Sequence, residues 1–286
     1  MSNVLLTGGA GNLGRRVAVR LAADGHSVRI LDLPEKSDAV VWEVANIQTV
    51  SGDLCDREFL HVACSGIDQA VHLAAIIPPL SEDNRLLTQR VNIEGTRMLL
   101  QALAPGVPVI FASSVATYGN SRGPIVGVDH PQTPNDYYGE TKLQNEQDIR
   151  RSGRPHAILR FSGLSVPALL EIPRPWFFTR DQQLEYLHLE DAATALCSCV
   201  DNPQVLGRTL LIAGGESWRM RGDDYAKAVC RSLDFPPEKA TFQPEPIWSG
   251  WYDTDRSQKM LGYQEHSFDQ FIAEIRRLYH EAIGAS

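Results

Sequence analysis

The chain has little of what would mark a secreted, membrane-embedded or nucleic-acid-binding protein. Cysteine is scarce, with five in 286 residues. Cys55, Cys64, Cys197, Cys199 and Cys230 are an odd set without zinc-ligand pairing, so reduced thiols are expected, with no disulfide framework and no metal. Cys197 and Cys199 fall in an alanine-rich helical pattern, where residues two apart point to different faces. No apolar run reaches membrane-spanning length, and a start of Met-Ser-Asn that passes straight into a strand leaves no room for a signal peptide. Basic runs are absent and the formal net charge is -8, which favours solubility and opposes phosphate-backbone binding. Internal repeats and low-complexity linkers are absent too. These absences predict a cytoplasmic protein that engages neither nucleic acid nor membrane.

What is present suits a large folded unit. Hydrophobic residues make up 43% of the chain, enough for one large α/β domain with an appended lobe. The organising stretch is Val4 to Gly14. Val4, Leu5 and Leu6 read as a buried strand, glycines make a turn, and Leu13, Val17 and Leu21 recur at helical spacing. In such a strand-turn-helix unit Gly8, Gly11 and Gly14 let the backbone approach a pyrophosphate. The first helical amides, around Asn12 and Leu13, offer it partial positive charge. A second strand, Val28 to Leu31, ends at Asp32, eighteen residues beyond Gly14. A carboxylate there accepts both ribose hydroxyls of adenosine and repels a 2′-phosphate, which favours NAD over NADP. Arg15 and Arg16 pull the other way, because a guanidinium beside the turn can pair with that phosphate. The spacing Gly8-x-x-Gly11-x-x-Gly14 resembles the fingerprint of the short-chain dehydrogenase/reductase superfamily.

Strand and helix patterns alternate along the chain, which predicts an α/β fold, a doubly wound parallel Rossmann sheet with a small, mainly helical C-terminal substrate cap. Residues 1–164 and 184–213 are assigned to the NAD(P)-binding Rossmann domain, and 165–183 with 214–286 to the cap. A third strand is expected over Gln48 to Gly52, followed by a helix from Arg57 to Cys64 capped by Asp56. The corner at Asp53 and Leu54 resembles the family's adenine contact, although Asp53 also suits a plain turn. The fourth strand, Gln69 to Leu73, leads into Ala74 and Ala75, small residues that let a cofactor lie close. The apolar Ile76 to Leu80 loop suits a substrate entrance and equally a packed loop. Asp83 to Leu103 reads as one long helix.

After a fifth strand at Val109 to Phe111 comes Ala112-Ser113-Ser114. Beyond a stretch with Gly119, Gly123, Pro131 and Pro134, Tyr137-Tyr138-Gly139-Glu140-Thr141-Lys142 opens another helix. Tyr138 and Lys142 are four apart and share a helix face. A nearby ammonium favours phenolate, which would lower the Tyr138 pKa toward the operating pH for proton exchange with an alcohol or carbonyl. Ser114, at its strand's end, can hydrogen-bond the same substrate oxygen. Tyr137 competes as the acid/base, but lies five residues from Lys142. The glycine turn, Asp32, Ser114 and the Tyr138/Lys142 pair, in this order, resemble the extended short-chain dehydrogenases, the NAD-dependent epimerase/dehydratase family. The resemblance continues through His156 to Phe161, a sixth strand, and Leu187 to Ala193, and covers most of the chain. It implies that Lys142 also binds the nicotinamide ribose and that Asn92 holds water near that lysine.

The sequence also departs from the family. Ser162 stands where asparagine commonly follows the arginine corresponding to Arg160, at the floor of the substrate site. Val115 and Ala116 follow Ser114, without the acid or base pair of a dehydratase. Only twenty-seven residues separate Arg160 from His188. They include Pro167, Pro173 and Pro175, leaving little chain for the helix pair that cradles a nucleotide. Arg174 or Arg180 could instead clamp one carboxylate, in the manner of the uronate dehydrogenases that this short segment resembles. The C-terminal cap, with Arg219, Arg221 and Arg256, is the other candidate cradle. A strand over Thr209 to Ala213, a helix over Asp223 to Leu233 and an amphipathic helix through Phe268, Ile272, Ile275 and Leu278 are expected, with Glu274, Arg276 and Arg277 on a solvated face. Trp248, Trp251 and Tyr252 suit core packing or stacking on a ligand ring. The resulting expectation is an NAD-dependent oxidoreductase, assembled as a homodimer, acting on a secondary alcohol or ketone of a small sugar-like molecule such as a sugar acid. The alternatives are a nucleotide-sugar epimerase resembling UDP-glucose 4-epimerase and a non-catalytic NAD(P)-sensing protein.

Overall fold

A computed structural model describes residues 1–121, 125–168, 172–246 and 250–284. Gly123 and Trp248 lie outside them. Seven strands form the central sheet: β1 (Asn3–Thr7), β2 (Ser27–Asp32), β3 (Ile47–Ser51), β4 (Gln69–His72), β5 (Val109–Ser114), β6 (His156–Phe161) and β7 (Arg208–Ile212). Their order is β7-β6-β5-β4-β1-β2-β3, and every pairing is parallel. The order reverses between β1 and β4. Helices therefore leave the sheet in opposite directions there and open a crevice at the carboxyl ends of the strands.

Alternation along the strands fills two apolar layers. Val4 and Leu6 on β1 and Ala157 and Leu159 on β6 meet α1 (Asn12–Ala23) and α5 (Leu189–Cys197) on one face. Leu5, Phe111 and Ile158 meet α2 (Arg57–Ala63) and α3 (Thr96–Ala102) on the other. The Tyr138 helix is α4 (Tyr137–Arg151), on that second face. A separate cluster of Trp176, Phe178, Trp218, Tyr225, Phe268 and Phe271 builds the lobe carrying α6 (Gly222–Ser232) and α8 (Phe268–Ile283), with α7 (Asp255–Leu261) between them. Leu261 and Tyr263, within the stretch assigned to the cap, pack instead into the layer beneath the sheet. Among the described residues no helix lies between β6 and α5.

Two expectations differ from the structure. Asp83 to Leu103 is not one helix: Leu80–Asp83 and Arg85–Thr88 are single turns, Gln89–Gly95 is a π-helix, and only then does α3 begin. Asn84, at φ -130 and ψ 73, breaks the run and caps the next turn through Leu87 N–H. In the π segment the Asn92 carbonyl accepts from Thr96 Oγ1 at 2.6 Å and Asn145 Nδ2 at 2.7 Å, bonds that compete with the α-helical ladder. The second difference concerns α8. Arg276 and Arg277 face solvent, but Glu274 turns inward to His188, 3.2 Å from its Nε2.

Candidate active site

The glycine turn lies between β1 and α1 and packs closely on its surroundings. Gly8 has φ +71, and a Cβ there would meet Ala74 N at 2.8 Å, so the turn lies against the residues that follow β4. Gly14 packs on the Gly8 carbonyl and Gly9, leaving no space for a side chain. Gly11 caps α1 without any side chain accepting from the first amides, which stay available to a ligand. Asp32 stands at the end of β2 with Oδ2 accepting from Ala10 N–H and Oδ1 from Leu33 N–H, both at 2.9 Å. Each carboxylate oxygen keeps acceptor capacity for a ribose hydroxyl. Arg16 pairs with Glu190 on α5, which also binds Arg20, while its Nη1 donates to the Asn12 carbonyl at 2.9 Å. Arg15 remains beside the turn, bonded to Asn12 Oδ1 at 3.2 Å. These residues fit a dinucleotide.

Asp53 and Leu54 follow β3. Asp53 accepts from Cys55 N–H at 2.8 Å and pairs with Arg90 at 2.6 Å, while Leu54 is buried under Gly95. Beneath the turn a relay that the sequence did not disclose joins β1, β4 and the π-helix. Thr96 donates to the Asn92 carbonyl, so it accepts from His72 Nε2 at 2.9 Å, and His72 Nδ1 accepts from Thr7 at 2.6 Å. Burial holds His72 neutral, with its pKa down at about 3.

Ser114, Tyr138 and Lys142 converge at the carboxyl end of β5. The Lys142 ammonium lies 4.8 Å from the Phe111 ring centre and donates to the Ala112 carbonyl at 2.7 Å. The Ser114 hydroxyl accepts from Ala116 N–H at 3.1 Å and lies near enough to the Tyr138 phenol to favour its ionised form. Tyr137 faces elsewhere, its ring covered by Arg85 at 5.1 Å. Asn92 is fully engaged through its side chain. It accepts from Ile76 N–H at 2.7 Å and donates to the Ile76 carbonyl at 3.0 Å and to Thr141 Oγ1 at 3.1 Å.

The electrostatics differ from the expectation of an ammonium that lowers the phenol's pKa. Burial, followed by the Asp136 carboxylate, pushes Tyr138 up, outweighing the opposite influence of the Ser114 hydroxyl. Burial also pushes Lys142 down to about 7, opposed by Glu146 one turn on. Desolvation disfavours both charged forms, so a neutral phenol stands beside an amine that titrates near neutrality. Glu146 is fixed in turn by Arg160, at 2.8 and 2.7 Å, and by Ser113 at 2.6 Å. The four-residue spacing of Tyr138, Lys142 and Glu146 was a visible signal of this stack.

Arg174 is exposed on the cap, its guanidinium 4.9 Å from the Phe235 ring centre, and Arg180 pairs with Asp223. The Ser162 hydroxyl is buried without a partner among the described residues, just beyond Phe161, which lies level with Ser114 across β5 and β6. Tyr252 packs with Val115 and Tyr118, and Arg221 lies 5.9 Å from the Trp251 ring centre. One further cluster, His188, Asp191 and His266, has the spacing of metal ligands. Its imidazoles stack at 4.2 Å and 12°, so their in-plane lone pairs cannot converge on one ion, and His266 already bonds Asp191. It ties α5 to the start of α8.

The sequence profile of the NAD dependent epimerase/dehydratase family matches residues 4–168. A D-erythronate dehydrogenase of Cupriavidus necator is 36% identical over 180 residues, 57% of this chain and 56% of the relative. N-acetyl-alpha-D-glucosaminyl-diphospho-ditrans,octacis-undecaprenol 4-epimerase of Escherichia coli O157:H7 is 36% identical over 155 residues, 52% of this chain and 43% of that one. The chain thus spans about half the length of these relatives. Among solved structures, MoeE5 in complex with UDP-glucose and NAD has a TM-score of 0.82 at 21% identity, covering 98% of this chain and 99% of its own. A short-chain dehydrogenase/reductase superfamily protein from Agrobacterium tumefaciens with bound NAD gives 0.79 at 21%, covering 99% and 98%. At such identities the likeness shows the fold alone.

Proposed function

Because this chain belongs to the NAD dependent epimerase/dehydratase family, we propose that it interconverts a secondary alcohol and a ketone on a small sugar acid, using NAD. The observation that carries this reading is the Tyr138 phenol, beside Ser114 and one helical turn from buried Lys142, at the crevice of a parallel sheet. NAD would be held by Gly8, Gly11, Asn12, Leu13, Gly14 and Asp32 with Leu73 to Ala75 alongside, and would supply the hydride acceptor for oxidation or, as NADH, the hydride donor for reduction. In the reductive direction the neutral phenol gives its proton to the carbonyl oxygen while Ser114 hydrogen-bonds that oxygen. The Lys142 ammonium, 5.6 Å from the ring centre, then stabilises the phenolate left behind. Oxidation runs the same steps backwards. Asn92 serves by holding the Ile76 loop to α4 at Thr141.

The sugar-acid part rests on the name of the Cupriavidus relative and on the short, helix-free path through the described residues between β6 and α5. Arg174 is the guanidinium proposed to meet the substrate carboxylate. A nucleotide-sugar epimerase is the second reading; the Escherichia relative is a 4-epimerase, though of a sugar joined through diphosphate to undecaprenol rather than to a nucleoside. Asp32 and the pairing of Arg16 with Glu190 support NAD over NADP. Cytoplasmic location and homodimer assembly belong to the same proposal; no helix among the described residues is long and apolar enough to cross a membrane.

The test is a panel of sugar acids, free sugars and nucleotide sugars offered with NAD and read as NADH absorbance, together with titration of the NAD complex by uridine and thymidine diphosphates. Net NADH with a sugar acid and no saturable diphosphate binding is expected. Product formed without net NADH, or tight diphosphate binding, overturns the reading in favour of the epimerase.

A further inference from the structure

The first turn of α4 presents the phenol, and its amides are held from a distance. A helix leaves its first four N–H groups without internal acceptors, and an N-cap side chain ordinarily answers one or two of them. Asp136 does so for Gly139, at 2.6 Å. The two amides before it belong to Tyr137 and Tyr138, and one carboxylate far away in sequence takes both. Glu82 Oε2 accepts from Tyr137 N–H at 2.9 Å, and its Oε1 accepts from Tyr138 N–H at 3.0 Å. Ser81 Oγ donates to the same Oε1 at 3.0 Å, which orients the carboxylate.

Glu82 comes from the segment that leaves β4. That segment is fastened to α4 a second time at Ile76, through Asn92 and Thr141. Ile76 to Glu82 is therefore a strap tied to the catalytic helix at both ends. Two charge-assisted bonds in parallel resist rotation as well as translation of what they hold. One of them ends on the backbone of Tyr138 itself.

We propose that Glu82 is a positioning residue for Tyr138, fixing the first turn of α4 so that the phenol stays aimed at the oxygen that Ser114 also meets. This rests on the reading of Tyr138 as the acid/base. A Glu82 that merely caps a helix would, when removed, lower stability and leave each folded molecule as active as before. A positioning Glu82 acts on the chemical step, because small misplacements of a reacting group cost rate rather than binding.

The test uses the full chain with NAD and compares Glu82→Gln with Ser81→Ala, a milder change that removes only the donor orienting the carboxylate. With the substrate found by the panel, Glu82→Gln lowers kcat by about tenfold or more, while KM and NAD affinity stay within about twofold. Ser81→Ala gives a smaller loss of the same kind. Unchanged kcat in Glu82→Gln overturns the proposal. A second readout needs no substrate, so it survives failure of the sugar-acid reading. The ¹⁹F resonance of fluorotyrosine at 138 is assigned by its disappearance in Tyr138→Phe, and it broadens or splits in Glu82→Gln as the ring samples new positions. A resonance identical to that of the unsubstituted protein overturns the proposal, whatever the substrate.

Discussion

Lys142 Nζ lies 5.6 Å from the centre of the Tyr138 ring, and its hydrogen bond runs to the Ala112 carbonyl. The lysine is thus anchored to β5 beneath the phenol and acts on it through space. Lys142 is buried and Tyr138 half-buried, and desolvation moves their protonation in opposite directions, the phenol up and the amine down to about 7.

Lys142 therefore weakens the folded state near neutrality. Below pH 7 it is charged in both states, and the burden of burying that charge is complete. Between about 7 and its ordinary 10.5 the unfolded chain binds the proton that the folded chain releases, so the burden lifts as pH rises. Lys142→Met should abolish turnover yet raise Tm at mildly acid pH, and the gain should shrink toward alkaline pH. Thermal melts across that range check the sign; a gain that grows with pH contradicts it.

Tyr138→Phe should abolish turnover and leave NAD binding nearly intact, because it removes a proton donor and little else. Tyr137→Phe should keep most activity, since that ring packs under Arg85 rather than beside Lys142. Steady-state rates with calorimetric NAD affinities decide it. Activity surviving in the Tyr138 variant would move the role elsewhere.

At Asp32 the expectation is that NAD binds at least about tenfold tighter than NADP, a difference of ~1.4 kcal/mol. Asp32→Ala should narrow the ratio by weakening NAD and relieving the repulsion of a 2′-phosphate. Equal affinities in the unsubstituted protein, measured by calorimetry, would count against the assignment.

The Arg160–Glu146 pair is buried on both sides, 3% and 0% exposed, and its bonds are short and bidentate. Arg160→Met strands the Glu146 carboxylate in that interior and should cost about 3–5 kcal/mol of stability. Urea unfolding measures this. A loss under about 1 kcal/mol would mean that the remaining partners of Glu146, namely Ser113, Gln132 and Arg150, suffice.

What the sequence determined by itself was local. Gly8 and Gly14 sit where a Cβ would press on backbone, whereas Gly11, at φ -72, has room for one. Strands alternating with helices had to make a parallel sheet, and Tyr138 and Lys142 had to share a face because they are one turn apart. The strand ends read from the sequence fall within a residue or two of those observed, except on β5, which continues from Phe111 to Ser114. Contacts between distant segments were decided only by the tertiary structure. Glu82 reaches the amides of Tyr137 and Tyr138 across more than fifty residues, Arg16 pairs with Glu190 on a distant helix, and Glu274 meets His188. The helix around Asn92 opens into a π segment because Asn145, on another helix, takes its carbonyl. The protonation of Tyr138 and Lys142 belongs to the same class. Spacing places a charge beside a phenol, but the depth at which the fold encloses them sets the desolvation that dominates both, and no local pattern records that depth.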